Sequence, residues 1–196
     1  MSTDQTLHAP WGVVSPTFWH HASPTSATAV LAPVEAEPAP GAVEQTEVPP
    51  PPAEYRGRIE AVTTACVPPV DPHRLAAAAV EAEQIDQEFT TTYGAAHSHT
   101  INMRELRGWI AHLMGQPAVA TRWYLHTTGL QAHVLGAAHE LTRASADRAV
   151  QHWRGITDPA ERYALGSELL PLLRAVTGDG GLAAQEVRAA LVPARP

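Results

Sequence analysis

The chain has 196 residues, a formal net charge of −7, one cysteine and no lysine; all thirteen basic residues are arginines. Without lysine there is no Schiff-base amine and no phosphate-loop lysine. With Cys66 alone there is neither an internal disulfide nor a thiolate zinc site.

Thirteen of the eighteen prolines lie at or before Pro72, and the chain changes character there. Residues 1–70 read as a disordered, acidic, Pro/Ala-rich arm, because residues 22–54 lack aromatics and cannot bury enough apolar surface to offset their ordering entropy. The run Pro49 to Pro52 is expected to be an extended spacer. Two short motifs interrupt the arm. At 8–21, His8 to His21, the aromatics Trp11, Phe18 and Trp19 concentrate in an otherwise aromatic-poor stretch. Clustered aromatics of this kind carry binding energy in few residues, so these three are the candidate partner-binding residues; docking on the chain's own helical part is the competing expectation. At 55–67, Ile59, Val62 and Cys66 fall at helical spacing ahead of Pro68. Cys66 sits among apolar neighbours and reads as a packing residue.

Residues 71–196 read as the helical domain, an all-α bundle of five to six helices. Asp71-Pro72 is a helix start, and the stripe Leu75, Ala78, Ala82, Ile85, Phe89 runs to a stop at Gly94. The pair Asn102 and Glu105 has capping-box spacing and predicts the next start, with Met103, Leu106, Ile110 and Leu113 as the stripe and Trp109 beside it. From Pro117, a long helix is expected to reach Arg143, burying Val119, Trp123, Leu130, Val134 and Leu141. A short helix follows from Ser145 to Gly155. Asp158-Pro159-Ala160-Glu161 is the clearest cap; its helix carries Tyr163, Gly166, Leu169 and Leu173, with Pro171 expected to kink it and Gly178 to end it. Residues 182–192 complete the set. The segments opening at Pro117 and Pro159 resemble each other, but two copies fall short of the three that a helical solenoid needs.

No catalytic or cofactor motif is present, and no cofactor is expected. His139-Glu140 opens like a zinc-protease helix but has Arg143 where the second histidine belongs. There is no Gly-x-Ser-x-Gly elbow and no Gly-x-Gly-x-x-Gly loop. His126 and His133 share a helical face and are placed to meet His112, which would make a histidine-lined metal-binding bundle; His97-Ser98-His99 falls in an expected loop. Residues 102–126 loosely resemble a bacterial helix-turn-helix, which would make Arg104, Arg107 and Arg122 the DNA-binding residues. Gln116 and Thr121 depart from that pattern. No window reaches the run of about 18 apolar residues that crosses a bilayer, and no basic-then-apolar leader is visible, so a cytoplasmic protein is expected. The reading from sequence is a non-enzymatic interaction or regulatory protein that binds a protein partner through the aromatic island or a helix face. A DNA-binding regulator is the alternative.

Overall fold

Proline and glycine set the helix boundaries. A computed structural model describes residues 50–192, and among them every regular element is helical. After a 3-10 turn at Ala53–Tyr55 come α1 (Arg56–Ala65), α2 (Pro72–Tyr93), α3 (Ser98–Leu113), α4 (Pro117–Leu135), α5 (Glu140–Arg154), α6 (Pro159–Thr177) and α7 (Leu182–Leu191). The described body thus has seven α-helices: six from Pro72 onward, where five to six were expected, and α1 within the 55–67 motif of the expected arm. The aromatic island at 8–21 lies outside the described residues.

Helices α2, α4 and α6 each carry proline at the first position, where no backbone donor is needed. The Asp71 carboxylate accepts from Arg74 N at 2.8 Å, and Asp158 from Ala160 N at 3.0 Å. Each of the three helices stops at a glycine with positive φ: Gly94 (90°), Gly136 (94°) and Gly178 (77°). These glycines follow one another at a spacing of 42 residues, and Pro117 and Pro159 keep the same interval. Each leads into a second helix, so the described residues form three successive hairpins, α2–α3, α4–α5 and α6–α7, preceded by α1. Helices pack on their chain neighbours, and α4 packs on α6 as well. That is the layered arrangement of a short helical-repeat array.

The third copy was hidden from local reading. Its turn, Gly178-Asp179-Gly180-Gly181, shares only its glycine with Gly94-Ala95-Ala96-His97 and Gly136-Ala137-Ala138-His139. In the first two turns the side chains repeat their roles. His97 Nδ1 accepts from His99 N and His139 Nδ1 from Leu141 N, both at 3.2 Å. Thr100 and Thr142 donate their hydroxyls to the carbonyls of Gly94 and Gly136 at 2.8 and 2.9 Å. Histidine, rather than Asn102, therefore caps α3. Asn102 lies inside that helix with Glu105, and both are buried. The expected long third helix is likewise broken: Gly136 ends α4, and α5 starts at Glu140 instead of Ser145. Helix α6 is continuous through Pro171.

Two apolar cores result. The first takes Ile59 and Val62 of α1 and Cys66 at its end together with Leu75, Ile85, Phe89, Met103, Leu106 and Ile110. The helical body therefore reaches back across the 55–67 motif. The second takes Tyr124, Ala149, Val150, Trp153, Leu165, Leu169, Leu173 and Val187. Trp153 anchors it, fully buried, with its indole N–H donating to Arg162 O at 2.8 Å.

Candidate functional site: a groove over a polar seam

The apolar stripe expected on α4 faces outward. Its buried face is Ala118, Ala120, Thr121, Tyr124, Thr127, Thr128 and Gln131. Val119 and Val134 are exposed, and Trp123 and Leu130 are only half-buried. The reason is register. Packed between two hairpins, α4 buries the positions that α2 and α6 bury, 42 residues away, and side-chain hydrophobicity does not override that geometry.

The displaced apolar residues form a surface. Val80 of α2, Met114 after α3, and Val119 and Trp123 of α4 line a hollow of about 180 Å³, floored by Ile110 and Ala111. A second hollow of about 270 Å³ adjoins it, sharing Gln116 and Val119 and extending over Pro117 and Ile156 to Asp158 and Glu161. Together they make a groove across the start of α4. Glu83, Asp158 and Glu161 stand at its edges. Arg107 lies over the Trp123 ring at 4.1 Å and is tied to Asp86 Oδ2 at 2.6 Å.

Joined to the groove through Arg107 and Asp86 runs a chain of polar groups, several of them buried, with His126 at its exposed end. Asp86 is buried on α2. Arg104 Nε donates to its Oδ1 at 2.9 Å, and the same guanidinium reaches Thr90 Oγ1 at 2.9 Å. Arg104 also donates to His126 Nε2 at 2.9 Å, which makes that nitrogen the acceptor and places the ring proton on Nδ1. Burial, with Arg104 adding to it, holds His126 below the ordinary histidine range. Further along, Glu105 accepts from Gln131 Nε2 and from Arg148 Nη1, each at 3.2 Å. Burial pushes the Glu105 carboxyl upward, opposed by Arg148, Ser145 and Gln131. Thr127 and Ser145 share a hydrogen bond of 2.9 Å.

Arg104 and Arg107 are thus committed to Asp86, and Arg104 is almost wholly buried. Arg122 pairs with Glu161 at 2.9 Å on the surface. The three are not assembled on one exposed face.

The histidines group differently from expectation. His112 meets Trp109 and His152, with ring centres 5.0 and 4.7 Å apart, and does not join His126 and His133. His152 stacks on Tyr124 at 5.2 Å. Burial, then His112 and Arg148, lowers His152 to about 4. His97 and His99 belong to the start of α3 and stack around Tyr93 instead of lying in a free loop. Among the described residues, no three His, Cys, Asp or Glu side chains converge as a metal ion would require. Cys66 is buried, and burial pushes its thiol up to about 11, which suppresses the thiolate.

Sequence reasoning missed the groove because it assigned Val119 and Trp123 to the core and gave Val80 and Met114 no role. The usable signal was the repeated Gly-Ala-Ala-His-x-x-Thr at 94–100 and 136–142, which fixes the register of α4 against α2. Compared with protein-family models and with curated proteins, the chain matches none. No described helix is long and apolar enough to cross a membrane.

Proposed function

We propose that this protein is a non-enzymatic interaction module whose helical array holds a segment of a protein partner in the groove across α4. One observation carries the reading: the apolar side chains of Val80, Met114, Val119 and Trp123 are left outside the cores and gathered in one place. A gathered, partly exposed apolar surface with a polar rim is the usual mark of a binding face. Arg107 reaches Glu83 at 3.5 Å and Arg122 reaches Glu161 at 2.9 Å, but Arg107 is shared with Asp86, so the rim of Glu83, Asp158 and Glu161 keeps an acidic balance that favours a partner segment with apolar anchors and flanking Lys or Arg. The chain's own residues 1–49 fit less well, having Asp4, Glu35, Glu37, Glu44 and Glu47 and no Lys or Arg. The aromatic island, with Trp11, Phe18 and Trp19, is the second surface that this reading offers to a partner. DNA binding through Arg104, Arg107 and Arg122 has less support, since the first two would have to leave Asp86.

Panning a displayed peptide library against the full chain, its Val119→Glu variant and its Trp19→Ala variant tests this. Enrichment of apolar peptides flanked by Lys or Arg, lost with Val119→Glu and kept with Trp19→Ala, supports the groove. Loss only with Trp19→Ala moves the site to the island. No enrichment, or equal enrichment on all three, removes the proposal. A thermal melt of each variant separates loss of binding from loss of fold.

A further inference from the structure

The repeat register exposes a difference among the three hairpins. Positions 85, 127 and 169 are equivalent, as are 89, 131 and 173, and 103, 145 and 187. The first hairpin carries Ile85, Phe89 and Met103 there, and the third carries Leu169, Leu173 and Val187. The middle hairpin carries Thr127, Gln131 and Ser145. All nine are buried. The middle unit is therefore polar at each of three places where both neighbours are apolar.

This substitution divides the interior. The first apolar core draws on α1, α2 and α3, and the second on α4 to α7. Between them, the hydrogen bonds from α3 to α4 and α5 run from Arg104 to His126, Gln131 to Glu105, and Arg148 to Glu105, beside the packing of Gly108 on Tyr124 and of His112 on His152. Two atoms of the region, Gln131 Oε1 and Asn102 Nδ2, are buried without a hydrogen-bond partner. A buried polar layer with unsatisfied members stabilises less than an apolar layer of the same size. In an array whose units touch only their neighbours, stability is close to a sum of units and interfaces, so one weak interface divides the whole.

We propose that this seam is a built-in opening point: α1–α3 and α4–α7 are two cooperative blocks that part between α3 and α4 while each keeps its own core. Opening there separates Val80 and Met114 from Val119 and Trp123, and so dismantles the hollow between them. It also frees the close approach of Gly108 to Tyr124, where an added Cβ would lie 3.0 Å from the ring. The device stands on packing alone and does not depend on what the groove binds.

Native-state hydrogen exchange of the full chain, followed by mass spectrometry across low denaturant concentrations, tests it. Amides in 82–89 and 101–108 are expected to share one unfolding isotherm and amides in 124–131 and 165–173 a second, with open populations at least tenfold apart. In Glu105→Leu/Gln131→Leu/Arg148→Leu, which replaces that polar cluster by apolar side chains, the two isotherms should converge. If all these amides of the wild-type chain merge into one unfolding isotherm, the seam does not open. If the triple variant folds and its two isotherms stay as far apart as in the wild type, polarity is not the cause. Should the variant fail to fold, the wild-type pattern decides the matter alone.

Discussion

Acid should weaken this fold through His152. The imidazole is buried, stacked on Tyr124, beside His112 on α3 and near Arg148 on its own helix. These surroundings lower it from the ordinary 6.5 to about 4. The folded chain then binds fewer protons at this site than the unfolded chain in that interval. Its contribution is intact above 6.5, falls as the pH drops toward 4, and is constant below. Linkage over that interval gives a loss of about 2 kcal/mol between pH 7 and about pH 5. His99, His112 and His126 are lowered by burial and act in the same direction; Glu105 is raised and acts in the opposite one. The measurement is therefore a difference: urea denaturation of the wild type and His152→Phe at both pH values. Phenylalanine keeps a ring against Tyr124 and cannot take a proton. The variant should lose about 2 kcal/mol less than the wild type on acidification. Equal losses would refute the argument and show that His152 relaxes to solvent when it charges.

Three further outcomes follow from packing and capping. Leu173→Ala should cost about 2–5 kcal/mol by opening a cavity, whereas Val134→Ala, at a side chain 51% exposed, should cost little; similar denaturation midpoints would place the α4 face wrongly. Gly166→Ala should cost about 1–3 kcal/mol, because the new Cβ meets Trp153 Nε1 at 3.1 Å and Leu191 Cδ2 at 3.2 Å; an unchanged melt would mean that the indole shifts freely. Asp158→Ala should cost about 0.5–2 kcal/mol at neutral pH by freeing the Ala160 amide, as read by chemical denaturation, and a neutral result would remove the cap.

Much of the fold was legible because its signals are local. Asp-Pro starts at 71 and 158 and glycine stops at 94 and 178 act through backbone sterics and short-range hydrogen bonds. The apolar faces of α2, α3 and α6 were readable for a related reason: Leu75, Ile85, Phe89, Met103, Leu106, Leu169 and Leu173 recur at helical period and all are buried. Tyr163 is the exception on α6, 57% exposed one turn before the stripe begins. The caps His97 and His139 were not readable from residue preference, since histidine is an uncommon cap and Asn102 offered a better-known pattern.

By itself, then, the sequence determined where helices begin and end and which of them are amphipathic, because those choices are made within a few residues of chain. It also withheld lysine chemistry and thiolate clusters outright. Only the tertiary structure decided which face of α4 is inside. That helix has two candidate faces, one with Val119, Trp123 and Val134, the other with Tyr124, Thr127 and Gln131. Considered alone, it would bury the first. Held between α3 and α5 at the register its neighbours impose, it buries the second, and so leaves an apolar groove outside and a polar seam within. The energy of an isolated helix cannot contain that result, because the atoms that set the register belong to other hairpins.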